Sequence, residues 1–162
     1  MQGGEKVAIM YVWALSIENQ IVITGRTWDE FKKLISMIQE IFIFDDNVYF
    51  VVYVHNLSYE FQFFKHYFVW DKVFAIDNRE PAYAITGGVV FRCSYLLSGA
   101  SLDTVAKNLT SVKIEKLTEQ FDYQLLRHSS TVLTDNEWEY LIHDVLIVVY
   151  FIKERMTERG GL

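Results

Sequence analysis

Two short stretches combine residue types that can hold and cut a phosphodiester. The first is "HNLSYEF", in which His55, Asn56, Tyr59 and Glu60 follow the apolar run "NVYFVVYV". Ligands of α/β proteins collect at the carboxyl ends of strands, so polar side chains there are better placed for function than the same side chains in mid-strand. The second is "YLIHD", inside a long helical pattern, where Tyr140 and Asp144 stand four residues apart and share one helical face. A carboxylate one turn from a tyrosine suits metal-assisted hydrolysis. The carboxylate holds a divalent ion, and the hydroxyl orients an attacking water beside it. Glu60 offers a further oxygen ligand for Mg²⁺ or Mn²⁺, hard ions that prefer carboxylates.

Each of these residues also has a plain structural explanation. Glu60 alone fits a solvated helix position, Tyr140 with Asp144 fits a helix-surface pair, and His55 fits a strand-end histidine bonded to backbone. The four histidines (His55, His66, His128, His143) have no zinc-ligand spacing. The single cysteine, Cys93, excludes an internal disulfide and reads as a small buried hydrophobe. Gly3-Gly4 and Gly87-Gly88 read as turns, not as a phosphate-cradling loop.

A chain of 162 residues fits one domain, spanning 1–162, with a core of useful size. Hydrophobic residues reach 51% and aromatics 16%, high for a free-standing domain. That excess implies either a dense core or a surface meant to be covered by further chain. A formal net charge of -6 excludes a global basic field, so any contact with nucleic acid has to be local. No apolar run reaches membrane-spanning length and the N-terminus has no signal-peptide pattern, so an intracellular protein without a membrane partner is expected.

The elements that must position the two stations follow from periodicity. "KVAIMYVWALSI" and "QIVITG" form a β-hairpin turning at Glu18-Asn19-Gln20. "TWDEFKKLISMIQEIF" is an amphipathic helix with a capping box from Thr27 to Glu30, its core face set by Phe31, Leu34, Ile35, Ile38 and Ile41 or Phe42. "NVYFVVYVH" does not alternate, which fits a central strand covered on both faces. "LSYEFQFFKHYF" is a helix, and "KVFAI", "AYAITG" and "VVFRCSYL" are strands separated by Asp77-Asn78-Arg79 and Gly87-Gly88. "SLDTVAKNL" is a short helix capped by Ser101, Ser111 to Ser130 has little regular structure, and "TDNEWEYLIHDVLIVVYFIKERM" is a long helix with a second capping box from Thr134 to Glu137. The order implies an α/β sheet with helices on its faces.

"HNLSYEFQF" resembles the second exonuclease motif of family B DNA polymerases: asparagine, two or three residues, an aromatic, then an acid. "YLIHD" resembles the third, tyrosine, three residues, aspartate. "FDYQLLRHSSTVLTDNEWEYLIHD", "YVWALSI" and "GRTWDEF" are similar to segments of the protein-primed phage members, so the resemblance runs over nearly the whole chain. It implies a ribonuclease H-like 3′–5′ proofreading exonuclease fold, a mixed sheet flanked by helices, as a fragment of a larger polymerase in the cytoplasm of a bacterial host. By resemblance Glu60 and Asp144 are ligands in a two-metal Mg²⁺ or Mn²⁺ site, Tyr140 positions the water, and Lys116 contacts the scissile phosphate. His55, Asn56, Tyr59 and Ser94 bind the 3′ end of single-stranded DNA. The departure is the first motif, Asp-x-Glu, which the family carries on a strand before "YVW" and which does not precede it here. Without that carboxylate pair, weak metal affinity and little turnover are expected of this chain. The alternatives are a catalytically silent single-strand-binding module and a structural domain that forms a homo-oligomer through an open sheet edge.

Overall fold

A computed structural model describes residues 9–44, 47–76, 81–114 and 127–159. The hairpin pairs β1 (Trp13–Ile17) antiparallel with β2 (Ile21–Gly25) in a two-stranded sheet of its own. Gly25 faces Trp13 across this ladder, and any side chain there would run into the indole, whose Nε1 donates to the Thr27 carbonyl at 2.8 Å. Helix α1 (Trp28–Ile41) follows, with the Thr27 side chain accepting from the Glu30 amide and Phe31, Ile35 and Ile38 buried, whereas Ile41 and Phe42, expected on the core face, are exposed where the helix ends.

The second sheet has four strands in the order β3-β6-β5-β4. They are β3 (Phe50–Val54), β4 (Lys72–Ala75), β5 (Pro81–Thr86) and β6 (Val89–Cys93). Only β3 and β6 are parallel; the other two ladders are antiparallel, so the sheet is mixed. Gly87 and Gly88, at φ 50° and 79°, make the two-residue turn between β5 and β6, a turn that needs positive φ at both positions. Helix α2 (Leu57–Phe64) leaves the end of β3 and packs toward β5 and β6. One face of the sheet and helices α1 and α2 enclose a core built on Val52, Leu57, Phe64, Val89 and Phe91. Phe91 sits at its centre, with ring centroids of Phe64, Trp70, Phe31 and Phe68 at 5.2, 5.8, 6.3 and 6.4 Å.

Two expectations are corrected. The "NVYFVVYVH" strand is not central: among the described residues β3 pairs with β6 alone, and Val51 on its outward face is 42% exposed. Its apolar run lacks alternation although one face is not covered by a helix as the other is. "VVFRCSYL" is not strand throughout, because the chain turns after Cys93 into α3 (Tyr95–Ser98), which ends at Gly99 in left-handed conformation. Helix α4 (Leu102–Lys107) is capped by Ser101 as expected.

The long helix α5 (Asp135–Glu158) carries the Thr134 cap and lies along β1 and α4, burying Ile147 against Val105 and Ala106. Its start is tied to the open end of the hairpin. Glu137 holds Arg127 at 3.2 Å, the Arg127 guanidinium lies over the Tyr11 ring, and Arg26 donates to the carbonyls of Tyr11 and His128. Further along, Asn19 in the hairpin turn donates to the Tyr150 hydroxyl and accepts from Lys153. The helix therefore runs beside the hairpin from its open end toward its turn. Among the described residues no helix is long and apolar enough to cross a membrane.

Candidate functional site

The first station is built by the one parallel ladder. Val54 is in register with Cys93, and the Ser94 amide donates to the Val54 carbonyl at 3.0 Å, so the next residues of both strands emerge side by side. His55 and Ser94 are the result, with Nδ1 and Oγ 3.0 Å apart and the Tyr95 ring edge-on to the imidazole at 5.7 Å. Ser94 is fully buried. Its hydroxyl hydrogen-bonds the imidazole and so helps to fix the orientation of His55.

Asn56 turns the chain from strand to helix in left-handed conformation, φ 64° and ψ 58°. Asparagine tolerates this region better than most residues with a Cβ. The Asn56 carbonyl receives the amides of Tyr59 and Glu60 at 3.1 and 3.3 Å, while its exposed side chain accepts from the Ser58 hydroxyl. Tyr59 projects outward, 49% exposed, with Phe63 supporting its ring edge-to-face at 5.3 Å. Glu60 is half-buried, burial pushes its carboxyl up from the ordinary range, and among the described residues it forms no ion pair.

The second station stands on α5, where Tyr140 and Asp144 are half-buried one turn apart, about 6 Å along the axis at 1.5 Å per residue. Beside them His143 lies 3.8 Å from Glu139 on the same helix. Lys116 falls outside the described residues, as do Gly3-Gly4 and Asp77-Asn78-Arg79. Among the described residues no three His, Cys, Asp or Glu side chains converge into a metal-holding group. The donors Glu60 and Asp144 are chemically suited to Mg²⁺ or Mn²⁺ but do not amount to the several carboxylates that clamp a metal pair. The β3–α2 junction presents an exposed amide, an aromatic face and a histidine at the end of a strand.

Sequence reasoning missed a row of side chains across the other face of the large sheet, Phe74, Tyr83, Arg92 and Tyr53, which register alone aligns. The signal was present in the strands "KVF", "AYAI" and "FRC", but pairing partners are not written in any one of them.

The fold is similar to part of a solved structure of Phi29 DNA polymerase complexed with primer-template DNA and incoming nucleotide substrates. The TM-score is 0.67 at 16% identity, over 86% of this chain and 26% of that one. The chain thus spans about a quarter of the length of that polymerase. No protein-family model and no curated protein sequence matches it.

Proposed function

We propose that this chain is a ribonuclease H-like domain of the proofreading-exonuclease type from a phage-type family B DNA polymerase, working as the strand-holding part of that site. The observation that carries the reading is the junction of β3 with α2. There His55, Asn56, Tyr59 and Glu60 follow a parallel strand end in the order of the second exonuclease motif, within a fold similar to that of a DNA polymerase. In this reading the Asn56 amide bonds the terminal nucleotide, Tyr59 stacks on its base, and His55, oriented by Ser94, borders the groove. An aromatic stacked on an unpaired base contributes roughly 1–3 kcal/mol. Tyr140 and Asp144 face the scissile phosphate from α5.

Hydrolysis needs more carboxylates than the described residues bring together. Among the described residues β1 is hydrogen-bonded to β2 alone and β3 to β6 alone, so each leaves an edge to which a further strand could add. In this reading a strand carrying Asp-x-Glu would bring two more carboxylates to the Mg²⁺ or Mn²⁺ site.

The test is to graft such a strand onto the N-terminus. The unextended chain should bind short single-stranded DNA weakly and degrade it barely, and the extended chain should degrade it from the 3′ end in Mn²⁺ or Mg²⁺. Asp144→Ala should then abolish degradation, and Tyr140→Phe should slow it less. A folded, extended chain that stays inert would remove Glu60 and Asp144 as ligands. Efficient digestion by the unextended chain would remove the argument about missing carboxylates.

A further inference from the structure

On the face of the four-stranded sheet opposite the α1–α2 core, register places Phe74 opposite Tyr83, Tyr83 opposite Arg92, and Arg92 opposite Tyr53. The result is one straight row of aromatic, aromatic, cation and aromatic across all four strands. Phe74 and Tyr83 are stacked, 5.3 Å between centroids and 12° between planes. The Arg92 guanidinium lies 5.5 Å from the Tyr83 ring centre and the Lys72 ammonium 5.7 Å from it. Phe74 is 49% exposed, unusual for a large aromatic that has no covering partner among the described residues.

The end of α5 forms the roof over part of this row. Arg155, Met156 and Arg159 close a cleft of about 340 Å³ whose floor includes Tyr53, Tyr83 and Arg92. Three of the six arginines of a chain with net charge -6 therefore line one cleft, and none of its described lining side chains is acidic. Arg155 is tethered to the Leu97 carbonyl at 2.9 Å and lies 3.6 Å from Glu158; Arg92 and Arg159 form no ion pair among the described residues. Gathering cations at one place on an acidic molecule is electrostatically useful only toward an anion.

We propose that this cleft and row form a second single-stranded nucleic-acid site, separate from the β3–α2 junction. A base stacks on the outer face of the exposed Phe74, whose other face rests on Tyr83, and Arg92 and Arg159 take the phosphates. An acidic peptide would meet the arginines equally well but has no use for a flat aromatic pair, whereas sheet-borne aromatics flanked by cations suit unpaired bases on a charged backbone. The proposal does not depend on the hydrolytic reading, because the row, although it ends at Tyr53 on β3, shares no side chain with His55, Asn56, Tyr59 or Glu60.

The test is fluorescence anisotropy with a labelled ten-nucleotide oligothymidylate in EDTA, comparing Arg92→Gln/Arg159→Gln with Lys32→Gln/Lys33→Gln, which removes the same charge from the exposed side of α1. The arginine pair should weaken binding about tenfold or more and lower the salt slope by about 1.4, at ~0.7 per phosphate on single strands. The lysine pair should change affinity less than about twofold. Phe74→Leu should weaken oligonucleotide binding about fivefold or more while leaving inorganic phosphate competition unchanged, since a phosphate ion has no base to stack. Equal losses from the two charge pairs, or a polyglutamate peptide competing as well as the oligonucleotide, would overturn the proposal. On the unaltered protein, the side-chain Nε–Hε resonances of Arg92 and Arg159 should move on titration while that of Arg26 does not; unmoved Arg92 and Arg159 signals at saturation would also overturn it. Asn56→Gly should leave these shifts in place, so that failure of the β3–α2 site and failure of this one are distinguishable.

Discussion

Asn56 allows folding and recognition to be separated at one position. Its φ of 64° is a region that costs a residue with an ordinary Cβ about 1–2 kcal/mol, a cost that asparagine partly escapes and glycine does not meet. Among the described residues its side chain is otherwise supported by the exposed bond from the Ser58 hydroxyl at 3.0 Å, a contact of about 0.5 kcal/mol. Asn56→Ala should therefore destabilise the domain by about 1 kcal/mol, and Asn56→Gly should leave stability within about 0.5 kcal/mol of the parent. For a domain of this size, 1 kcal/mol moves Tm by roughly 2–4 °C. If the exposed amide holds the terminal nucleotide, both variants should lose it, so Asn56→Gly becomes a stable protein that binds short single strands less well. Urea melts followed by circular dichroism give the first quantity, and anisotropy against a short 3′-ended oligonucleotide, with the Arg92→Gln/Arg159→Gln background to silence the cleft, gives the second. Equal stability of Ala and Gly variants would refute the conformational argument. Undiminished binding by Asn56→Gly would refute the placement of the amide on DNA.

Other consequences are testable in the same preparations. Burial raises the Glu60 carboxyl, so the folded state holds its proton more tightly than the unfolded chain does, and stability is lost as pH rises from the ordinary glutamate range through the raised value. Glu60→Gln should then be the more stable protein at neutral pH with the advantage vanishing in acid, as read from urea midpoints; a gain that grows on acidification would contradict the sign. Ile147→Ala removes a fully buried side chain between α4 and α5 and should cost about 2–5 kcal/mol, with amide exchange in α4 accelerating before that in β5 and β6. The edge of β3 left unpaired among the described residues, the exposed Val51 on its outward face and Ile43 at 90% exposure favour self-association, so light scattering should show a dimer or larger; a monomer at high concentration would end that reading.

What the sequence determined by itself is local. Capping boxes at Thr27 and Thr134, the Ser101 cap, the glycine pair between β5 and β6 and the helical spacing of Phe31, Ile35 and Ile38 are interactions within a few residues, and each lies where its pattern placed it. The order His55, Asn56, Tyr59, Glu60 at a strand–helix junction was legible for the same reason. Tertiary structure decided what depends on partners distant in the chain. An apolar strand looks alike at the centre or the edge of a sheet, so the edge position of β3 among the described residues and the exposure of Val51 could not be read from its letters. Nor could the contact of His55 with Ser94, 39 residues away, which gives the imidazole a fixed partner. The row from Phe74 to Tyr53 exists only because three ladders bring four strands into one register, and its cleft exists only because α5, tied to the hairpin through Arg127, Asn19 and Lys153, ends above it. Long-range pairing is fixed by the summed burial of the whole core rather than by any short segment, and that is why the sequence names the residues while the fold assigns their neighbours.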